Sequence, residues 1–417
     1  MLFLYRVLIY LILLISPLIV FLRLIKGKED SKRYLEKFGI KKRKRPKGNL
    51  IWFHGSSVGE VLSIIPVIKE LEKSKKINNI LITSSTLSSS RIISKLYLKK
   101  TVHQFYPIDD DYITDKFLNH WRPSLVIFLE SEIWPMMIKN IKKRNISLLL
   151  VNARISKKTF NNWKKILHRA KKIFVKFDKC LVQNDETLKY LKILGAKNIS
   201  KIGNLKFIEN KDNLENSKTI KKLKFLNYRK TWCASSTHEG EEQICIEAHK
   251  TLKNMHKGLL TIIIPRHIDR VPSIIGIAKK QNLSLVLHSK SSKINKETDI
   301  YLVDTYGETR NFYVKTDLTF MGGSIAKYKK GGQNPLEAIR LNNKILYGPN
   351  IQNFKEIYYF LNKNDLAFKF NNKNQLINMI NLFLNSKKRK SNNLYKVSQL
   401  GSAILKNTLK VIKTHIK

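Results

Sequence analysis

Residues 49–60 read NLIWFHGSSVGE, and the run VLSIIPVIKEL follows them. The block LIWF is apolar without polar alternation, which is typical of a strand covered on both faces, as in a parallel sheet. The run after it has the spacing of an amphipathic helix. The stretch therefore predicts a strand, a glycine-containing joint and a helix, which is the repeating unit of a doubly wound α/β domain.

The same alternation recurs along most of the chain. The strand-like runs are NLIWFH, NILITSS, SLVIFLE, ISLLLVN and KCLVQN, then TWCASS, GLLTIIIP, LSLVLH, DIYLVD, DLTFMGG and KILYGP. A polar segment between the two series, residues 208–225, interrupts the rhythm. Because 417 residues exceed the usual size of a single core, two domains are expected.

We predict an α/β protein with two doubly wound, Rossmann-like domains that face a cleft lined by the carboxyl ends of both sheets. The first domain is expected at residues 48–207, the linker at 208–228 and the second domain at 229–417. The lysine-rich tail is expected to be helical and to pack back on the first domain.

The composition favours anionic partners. The formal net charge is +48, from 79 Lys+Arg against 31 Asp+Glu, so acidic lipid, phosphorylated substrates and nucleic acid are the partner classes to consider. The chain is also rich in Lys, Asn and Ile, and compositional drift explains many individual lysines. Cys180, Cys233 and Cys245 lie far apart without CxxC spacing, which suits a reduced compartment and argues against disulfides or a zinc site.

The amino terminus predicts a membrane anchor at residues 1–25. Val7 to Leu22 carries no charge, and this length is compatible both with crossing a bilayer and with lying in its interface. A cleaved signal is disfavoured because no A-x-A site follows and Pro17 interrupts the apolar run. The segment 26–47, which includes KKRKR at 41–45, is basic, so it should hold the body of the protein on the cytoplasmic face and attract anionic lipid headgroups.

The joint HGSSVGE combines a carboxylate with bare backbone at a helix start. Gly55 and Gly59 let the backbone approach a ligand, and the amides from Ser56 and Ser57 to Glu60 form a candidate anion site. A glutamate in the first helical turn also complements the helix dipole, by tenths of a kcal/mol. Spacing alone favours this structural role of Glu60, and a functional role remains open beside it.

Two further candidates lie in the first half of the chain. The sequence FLESEIWP, residues 128–135, follows the strand SLVIF. If the strand continues, Glu130 and Glu132 point to opposite sides, so that only one of them enters the cleft. A carboxylate at the end of such a strand is well placed for a ligand, although a structural role is equally open. In GNLKF, Lys206 stands next to the linker.

In the second half, several strand ends offer groups that suit an anion. In ASSTHEGEE, residues 234–242, the serines and the threonine supply amides and hydroxyls, whereas Glu239 and Glu241 are expected to cap and charge the following helix. Arg266, after the strand IIIP, suits bidentate recognition of phosphate or carboxylate.

Two glycine pairs follow further along the chain. Gly322, Gly323 and Ser324 form a turn that is a candidate phosphate cradle, and Asn334 and Glu337 stand at a helix start, where Glu337 can accept sugar hydroxyls. The chain has no P-loop and no HExxH motif. His54 and His267 are interpreted as polar or structural contacts and not as metal ligands.

Taken together, these motifs resemble a known family. In this order, HGSSVGE, ESEIWP, NARIS, GNLKF, STHEGEE, PRH, GGS and GGQNPLE are similar to the motifs of the Kdo transferases of lipid A assembly. The resemblance covers nearly the whole chain. It implies the two-domain GT-B glycosyltransferase fold, and transfer of 3-deoxy-D-manno-octulosonic acid (Kdo) from CMP-Kdo to the lipid A precursor on the cytoplasmic side of the inner membrane, without a metal cofactor.

The resemblance also implies roles for individual residues. It places the general base of an inverting transfer at Glu60, a second important acid at Glu130 and a lysine at Lys206. The residues that it places on the CMP-Kdo side are Arg266, His267, Gly307, Glu308, Thr309, Asn334, Pro335, Leu336 and Glu337. Two positions depart from the family pattern: Gln333 stands where GGHNPLE has histidine, and Ile208 stands where aspartate is common.

Two alternatives remain beside this expectation. Another GT-B protein, such as a sugar-nucleotide epimerase or a lipid-linked N-acetylglucosamine transferase, would have a similar alternation but another donor. A basic nucleic-acid-binding protein would also explain the charge, but the sequence has no RNP, helix-turn-helix or zinc motif, so no nucleic-acid partner is predicted.

Overall fold

The computed structural model describes residues 2–40, 43–209, 223–290, 294–326, 331–386 and 393–416. The chain divides into two units: unit 1 comprises Met1–Asn210 and Ser398–Lys417, and unit 2 comprises Lys211–Val397. The start of KKRKR, the loop KYKK at 327–330 and most of the expected linker lie outside the described residues.

Unit 1 is built on a seven-stranded parallel sheet in the order β3-β2-β1-β4-β5-β6-β7. The strands are β1 Leu50–His54, β2 Asn79–Ser84, β3 Thr101–Phe105, β4 Leu125–Leu129, β5 Ser147–Ala153, β6 Lys179–Val182 and β7 Ile199–Lys201. In register, Trp52 of β1 pairs with Leu81 on one side and with Val126 on the other. All five residues of β1 and of β4 are buried, as continuous apolar runs predict.

The order of these strands creates a topological switch point. The chain moves outward from β1 to β3 and then returns to place β4 on the opposite side of β1. The connections that follow β1 and β4 therefore run in opposite directions. They leave a crevice at the carboxyl ends of these two strands, and α/β sheets bind ligands in such a crevice. The sequences HGSSVGE and ESEIWP follow these two strands.

Helices connect the strands of unit 1. They are α1 Leu2–Ile25, α2 Val58–Glu72, α3 Leu87–Lys95, α4 Asp111–Trp121, α5 Pro135–Lys143, α6 Lys157–Lys164, α7 Leu167–Phe174 and α8 Asp185–Ile193. Short 3₁₀ helices occupy Tyr34–Phe38 and Leu205–Phe207. Side chains of Ser, Thr, Asp or Asn cap α2, α3, α4, α6 and α8.

Unit 2 repeats the architecture with a second seven-stranded parallel sheet, in the order β10-β11-β9-β8-β12-β13-β14. The strands are β8 Thr231–Thr237, β9 Leu260–Pro265, β10 Leu285–Leu287, β11 Ile300–Leu302, β12 Leu318–Met321, β13 Lys344–Tyr347 and β14 Ala367–Lys369. Here the switch point lies between β8 and β12.

The helices of unit 2 and of the carboxyl terminus complete the described chain. They are α9 Glu241–Lys253, α10 Val271–Lys280, α11 Thr309–Tyr313, α12 Leu336–Arg340, α13 Lys355–Lys363, α14 Lys373–Asn385 and α15 Leu394–Thr414. From Ser398 onward α15 belongs to unit 1, where a Cβ on Gly401 would lie 2.3 Å from the carbonyl oxygen of Phe207. Two doubly wound parallel sheets confirm the predicted fold class.

The predicted apolar amino-terminal helix is present as α1. Within the described residues, it is long and apolar enough to cross a membrane by length and composition, with a mean hydropathy of 2.7 over Tyr5–Ile25.

Candidate functional site

The site in unit 1 starts at the joint between β1 and α2. A side chain at Gly55 would be crowded, because its Cβ would lie 3.0 Å from Leu129 Cδ1 and 3.1 Å from Glu60 Cβ. Ser57 is the N-cap of α2 and accepts the Glu60 N–H at 3.3 Å. The glycine therefore lets the Glu60 side chain turn back over the end of the sheet.

Glu60 is held by the two serines that precede α2. Its Oε2 accepts the Ser56 N–H at 2.8 Å, and its Oε1 accepts the Ser57 hydroxyl at 2.7 Å. Burial, together with the charges of Glu132 and Glu130, raises the pKa of Glu60 to about 7, against the lowering effect of the serine hydrogen bonds. A glutamate that only complemented a helix dipole would keep an acidic pKa, so this geometry favours a functional carboxylate.

The expected anion site on this loop needs partial correction. Ser56 donates its N–H to Glu60, and Glu60 donates its own N–H to Ser57, so these two amides are engaged within the motif. Gly59 is exposed, and a Cβ there would meet no atom within 4 Å. The loop therefore organises a carboxylate.

Residues 55–59, GSSVG, also fit the G-x-S-x-G spacing of serine hydrolases. In such enzymes the serine hydroxyl is hydrogen-bonded to a histidine. Here the Ser57 hydroxyl donates to Glu60 and caps α2. The match to the hydrolase motif is thus one of spacing alone.

Glu132 lies beside Glu60 and has a different environment. Its Oε2 accepts the Ser56 hydroxyl at 2.6 Å and the Trp134 indole N–H at 2.8 Å, and it lies 3.1 Å from His54 Nε2. Burial alone would raise the pKa of Glu132, but hydrogen bonds and the charge of His54 outweigh it and hold the pKa below its ordinary value. Two neighbouring carboxyls with pKa values moved in opposite directions are a recurrent pattern in acid–base sites.

His54 supports this arrangement from the end of β1. The ring is fully buried, with Nδ1 3.0 Å from Thr83 Oγ1, and it stacks on Tyr106 with the ring centroids 3.8 Å apart. Sequence patterns alone identified His54 as a polar or structural contact, and of the two candidates Glu130 and Glu132 they assigned a role to Glu130 only. The signal for both was their position near the carboxyl ends of two neighbouring strands: His54 is the last residue of β1, and Glu132 lies three residues after the end of β4.

Glu130 enters the site through an unusual backbone conformation. Strand β4 ends at Leu129, and Glu130 has a φ of 50°, so the expectation of opposite-facing glutamates on a continuing strand is wrong. The left-handed turn directs Glu130 toward Lys206, whose Nζ lies 3.1 Å from Glu130 Oε1, and both side chains are largely buried.

Lys206 is fixed by the 3₁₀ helix Leu205–Phe207. Asn204 caps this helix by accepting the Lys206 N–H at 3.0 Å, and Asn152 accepts the Leu205 N–H at 3.0 Å. The structure thus brings Glu60, Glu130 and Lys206 together in unit 1, with Glu132 as a fourth member.

In unit 2, the glycine turn after β12 is organised by a buried carboxylate. The Glu241 side chain accepts the N–H groups of His238 at 2.9 Å, Gly323 at 2.7 Å and Ile325 at 2.9 Å. Burial raises the pKa of Glu241, although these three hydrogen bonds lower it. Glu241 therefore does more than charge its own helix, since it joins the ends of β8 and β12.

The expected phosphate cradle at Gly322–Ser324 also needs correction. The Gly322 N–H is donated to the Ser235 carbonyl at 2.8 Å, and the Gly323 N–H is donated to Glu241. The Ser324 hydroxyl donates to the Met321 carbonyl and accepts the Gly348 N–H. The Gly322 and Gly323 amides and the Ser324 hydroxyl therefore hold the turn together and are not free to bind a phosphate.

The other candidates of unit 2 surround the carboxyl ends of its strands. Arg266 and His267 are exposed directly after β9. Gly307 has a φ of 88° and precedes Glu308, which accepts the Thr305 hydroxyl at 2.6 Å and lies 2.9 Å from His288 Nε2. Thr309 begins α11.

The segment 334–337 divides into exposed and buried members. Asn334 is exposed and accepts the Leu336 N–H at 3.1 Å, and Glu337 lies 3.7 Å from Arg310. Leu336 is fully buried and Pro335 is buried, so both side chains pack in the interior, and their place on the donor side stays a prediction. Among the described residues, no group of three or more His, Cys, Asp and Glu side chains is arranged to hold a metal ion.

Comparison with known proteins identifies the family. The sequence model described as 3-deoxy-D-manno-octulosonic-acid transferase (kdotransferase) matches residues 32–209. The chain is 35% identical to the 3-deoxy-D-manno-octulosonic acid transferase of Rickettsia bellii, over 98% of both chains. It is 28% identical to the enzyme of that name from Haemophilus influenzae, over 98% of this chain and 97% of the relative.

Solved structures show the same fold at low identity. A putative UDP-N-acetylglucosamine 2-epimerase from Listeria monocytogenes aligns with a TM-score of 0.58 at 14% identity, over 88% of this chain and 97% of that one. Alr3699/HepE from Anabaena, in complex with UDP and glucose, aligns with a TM-score of 0.56 at 10% identity, over 88% and 100%. These similarities concern the two-sheet GT-B architecture. With the matched family model and the near full-length relatives, the chain belongs to the 3-deoxy-D-manno-octulosonic acid (Kdo) transferase family of glycosyltransferases.

Proposed function

We propose that this glycosyltransferase moves Kdo from CMP-Kdo to the lipid A precursor lipid IVA, with inversion at the anomeric carbon and with Glu60 as the general base. The observation that carries the proposal is the state of Glu60: burial and the neighbouring Glu132 raise its pKa to about 7. A base works best when its pKa lies near the operating pH, because it is then both ionised and able to hold a proton.

The chemical step follows from this assignment. The ionised Glu60 carboxylate takes the proton of an acceptor sugar hydroxyl, and the hydroxyl oxygen attacks the anomeric carbon of Kdo from the face opposite to CMP. The bond from that carbon to the phosphate oxygen breaks, and its electron pair leaves with CMP. The acceptor proton ends on Glu60 and the electron pair of the broken bond ends on CMP. The products are the Kdo-extended acceptor and CMP.

The Glu130–Lys206 pair supplies a fixed cation beside the base. With Nζ and Oε1 3.1 Å apart and both side chains largely buried, the pair costs little reorganisation when charge develops on the substrates. We assign Lys206 to stabilise negative charge in the transition state and Glu130 to hold Lys206 in place. Ser56 and Ser57 keep the Glu60 carboxylate oriented toward the acceptor.

Unit 2 is proposed to bind the donor through its exposed groups. Arg266 and His267 suit the phosphate of CMP, and the loop Gly307–Thr309 with Asn334 and Glu337 suits hydroxyls and ring edges. A guanidinium and backbone donors can stabilise departing CMP, so the proposed step uses no metal ion.

The proposed acceptor and the apolar helix both support a location at a membrane. A lipid A precursor carries acyl chains and phosphates, and the chain offers α1 followed by the basic residues Lys26, Lys28 and Lys32. We propose residence on the cytoplasmic face of the inner membrane, in contact with anionic lipids, since basic flanks favour that side.

The test is an assay of the full-length protein in detergent micelles. CMP-Kdo and the tetraacylated lipid A precursor should give a product heavier by one or more Kdo residues, and the anomeric configuration by NMR should be opposite to that of the donor. UDP-N-acetylglucosamine serves as the alternative donor. Turnover with that donor and none with CMP-Kdo would favour another GT-B activity, and retention of configuration would exclude the single-displacement step.

A further inference from the structure

The helix α1 has a narrow face against the protein and a wide apolar face away from it. Tyr5, Ile9, Leu13, Ser16 and Val20 recur at intervals of three or four residues and are buried or half-buried, which forms one continuous stripe along the helix. The exposed apolar residues are Val7, Leu8, Tyr10, Leu11, Ile12, Leu14, Ile15, Leu18, Ile19, Phe21, Leu22 and Ile25. The helix therefore lies along unit 1 over its length.

The first end of α1 is fastened to the start of α4. The Tyr5 hydroxyl donates to Asp109 Oδ2 at 2.7 Å, and Arg6 forms an ion pair with Asp111. Asp109 is buried and also accepts the N–H groups of Met136 and Met137, at 3.0 and 2.8 Å. The amino-terminal end of the helix thus contacts the body of unit 1 close to α5.

The second end of α1 is fastened to the same unit. Arg23 donates to Glu29 at 2.7 Å, and Lys37 reaches both Glu29, at 2.7 Å, and the Ser85 carbonyl after β2, at 3.2 Å. Glu36, in the 3₁₀ helix that follows, accepts the Phe105 N–H of β3 at 2.9 Å. Both ends of α1 therefore meet one globular body.

We propose that α1 does not cross the bilayer but lies in the plane of the membrane surface, with its wide apolar face in the lipid monolayer. A crossing helix would separate its two ends by a hydrocarbon core of about 30 Å. Tyr5 would then be on the far side of the membrane, out of reach of Asp109, unless Asp109 and Asp111 were also drawn into hydrocarbon, which is costly for carboxylates. The in-plane arrangement keeps every contact at both ends.

The partner is a lipid monolayer with anionic headgroups. Between Arg6 and Arg23 the helix has no charged residue, so its outer face offers only apolar surface over about 25 Å, at 1.5 Å per residue. The exposed Lys26, Lys28 and Lys32 follow directly and suit acidic headgroups at the same depth. Twelve exposed apolar side chains on one helix are a large patch for contact with water alone.

The α1 contacts also lie close in sequence to the candidate site of unit 1. The backbone that Asp109 holds at Met136 lies two residues after Trp134, and Trp134 donates to Glu132 at 2.8 Å. The topology itself rests on the α1 contacts and not on the proposed function; only the choice of the cytoplasmic leaflet comes from that function.

Cysteine labelling tests the topology directly. Cys180, Cys233 and Cys245 are buried, so an introduced cysteine stands out against a low background. Leu2→Cys marks the start of α1, and Lys28→Cys, at an exposed position after its end, is the matched control. A membrane-impermeant maleimide is applied to spheroplasts and to inverted vesicles. We expect both positions to react from the same side; reaction from opposite sides would overturn the proposal.

A depth measurement gives an independent result. Leu8, Ile15 and Leu22 are spaced by seven residues on one face and are 52%, 52% and 48% exposed. Spin labels on cysteines at these positions, in the full chain on anionic vesicles, should report similar shallow depths of about 5–10 Å. A crossing helix would instead place the label at position 15 deepest, near the bilayer centre, and the labels at positions 8 and 22 at shallow depths. That result would contradict the in-plane helix. Enzyme activity is not part of either readout, so failure of the proposed reaction leaves these tests valid.

Discussion

Glu60 and Glu132 are joined through a single residue: Ser56 donates its backbone N–H to Glu60 at 2.8 Å and its hydroxyl to Glu132 at 2.6 Å. The second carboxylate also receives the indole N–H of Trp134 and lies beside His54, and its pKa is held low, whereas the pKa of Glu60 is raised to about 7. A permanent negative charge thus lies next to a carboxyl that titrates near neutral pH. Together with burial, which has the larger effect, this neighbouring charge raises the pKa of Glu60.

Removing that neighbouring charge should make Glu60 a weaker base. Because burial and then the charge of Glu132 raise the Glu60 pKa, Glu132→Gln should move the acidic limb of the kcat/KM profile to lower pH, by about one unit. The check is a rate profile between pH 5 and 9. Glu186→Gln, which alters an exposed glutamate on α8, is the control and should leave the limb in place. If the acidic limb of Glu132→Gln stays at the wild-type pH, the charge of Glu132 does not raise the pKa of Glu60.

The same pKa predicts a pH-dependent cost to stability. Below pH 4.5 Glu60 is protonated in both folded and unfolded states, but between about 4.5 and 7 the unfolded chain releases the proton first, so folding stability falls as pH rises. Glu60→Gln mimics the protonated acid and should stabilise the protein above pH 7, by at most about 3 kcal/mol. Thermal melts at pH 5 and pH 8 measure this: the gain over wild type should be larger at pH 8. A larger gain at pH 5 would mean that folding does not raise the pKa of Glu60.

Loss of the buried cation should slow the reaction. Lys206→Met leaves Glu130 without its ion-pair partner and removes the charge assigned to the transition state, so kcat should fall by about 10²-fold. Lys201→Met is the matched control, since Lys201 forms an exposed pair with Asp185 that is worth about 0–1 kcal/mol. Equal rates in the two variants would remove Lys206 from the mechanism.

Much of the fold follows from the sequence, because most strands are continuous Ile, Leu and Val runs. The strands that the pattern missed are β3, β7 and β14. In β3, TVHQF, the polar residues are buried because tertiary contacts satisfy them: His103 lies 2.9 Å from the Ser84 hydroxyl, and Gln104 accepts the Trp121 indole N–H at 3.1 Å. β7, ISK, and β14, AFK, each end in an exposed lysine, so they lack the continuous apolar run that marks the equally short β10 and β11.

Candidate residues in motifs near strand ends could be predicted from the sequence. Contacts between residues that are distant in the sequence could not. Glu60, Glu130 and Lys206 were identified from their motifs and lie together in unit 1. The positive φ of Glu130 ended the strand early, and only the folded chain brings Glu132 to Ser56. Similarly, Glu241 and Gly323 are 82 positions apart, so no local pattern indicates that the carboxylate occupies the glycine turn.

That long-range contact has its own consequence. Glu241→Gln replaces one acceptor oxygen by an NH₂ group facing backbone donors, so we expect a loss of about 1–3 kcal/mol in unfolding free energy and a raised KM for CMP-Kdo. The measurements are denaturant unfolding and donor titration. Glu239→Gln, at an exposed position two residues earlier, should change stability by less than about 0.5 kcal/mol. If both variants keep the wild-type KM, the glycine turn does not shape the donor site.

The most direct test of Glu60 as the base is the pH dependence of kcat/KM with CMP-Kdo and the lipid A precursor, for wild type and Glu60→Gln. The wild-type value should rise about tenfold per pH unit below an apparent pKa near 7 and then level off. Glu60→Gln, with its fold intact by circular dichroism, should be slower by about 10²–10⁴-fold and should lack this limb. A variant that keeps the wild-type rate, or the same acidic limb, would contradict the assignment.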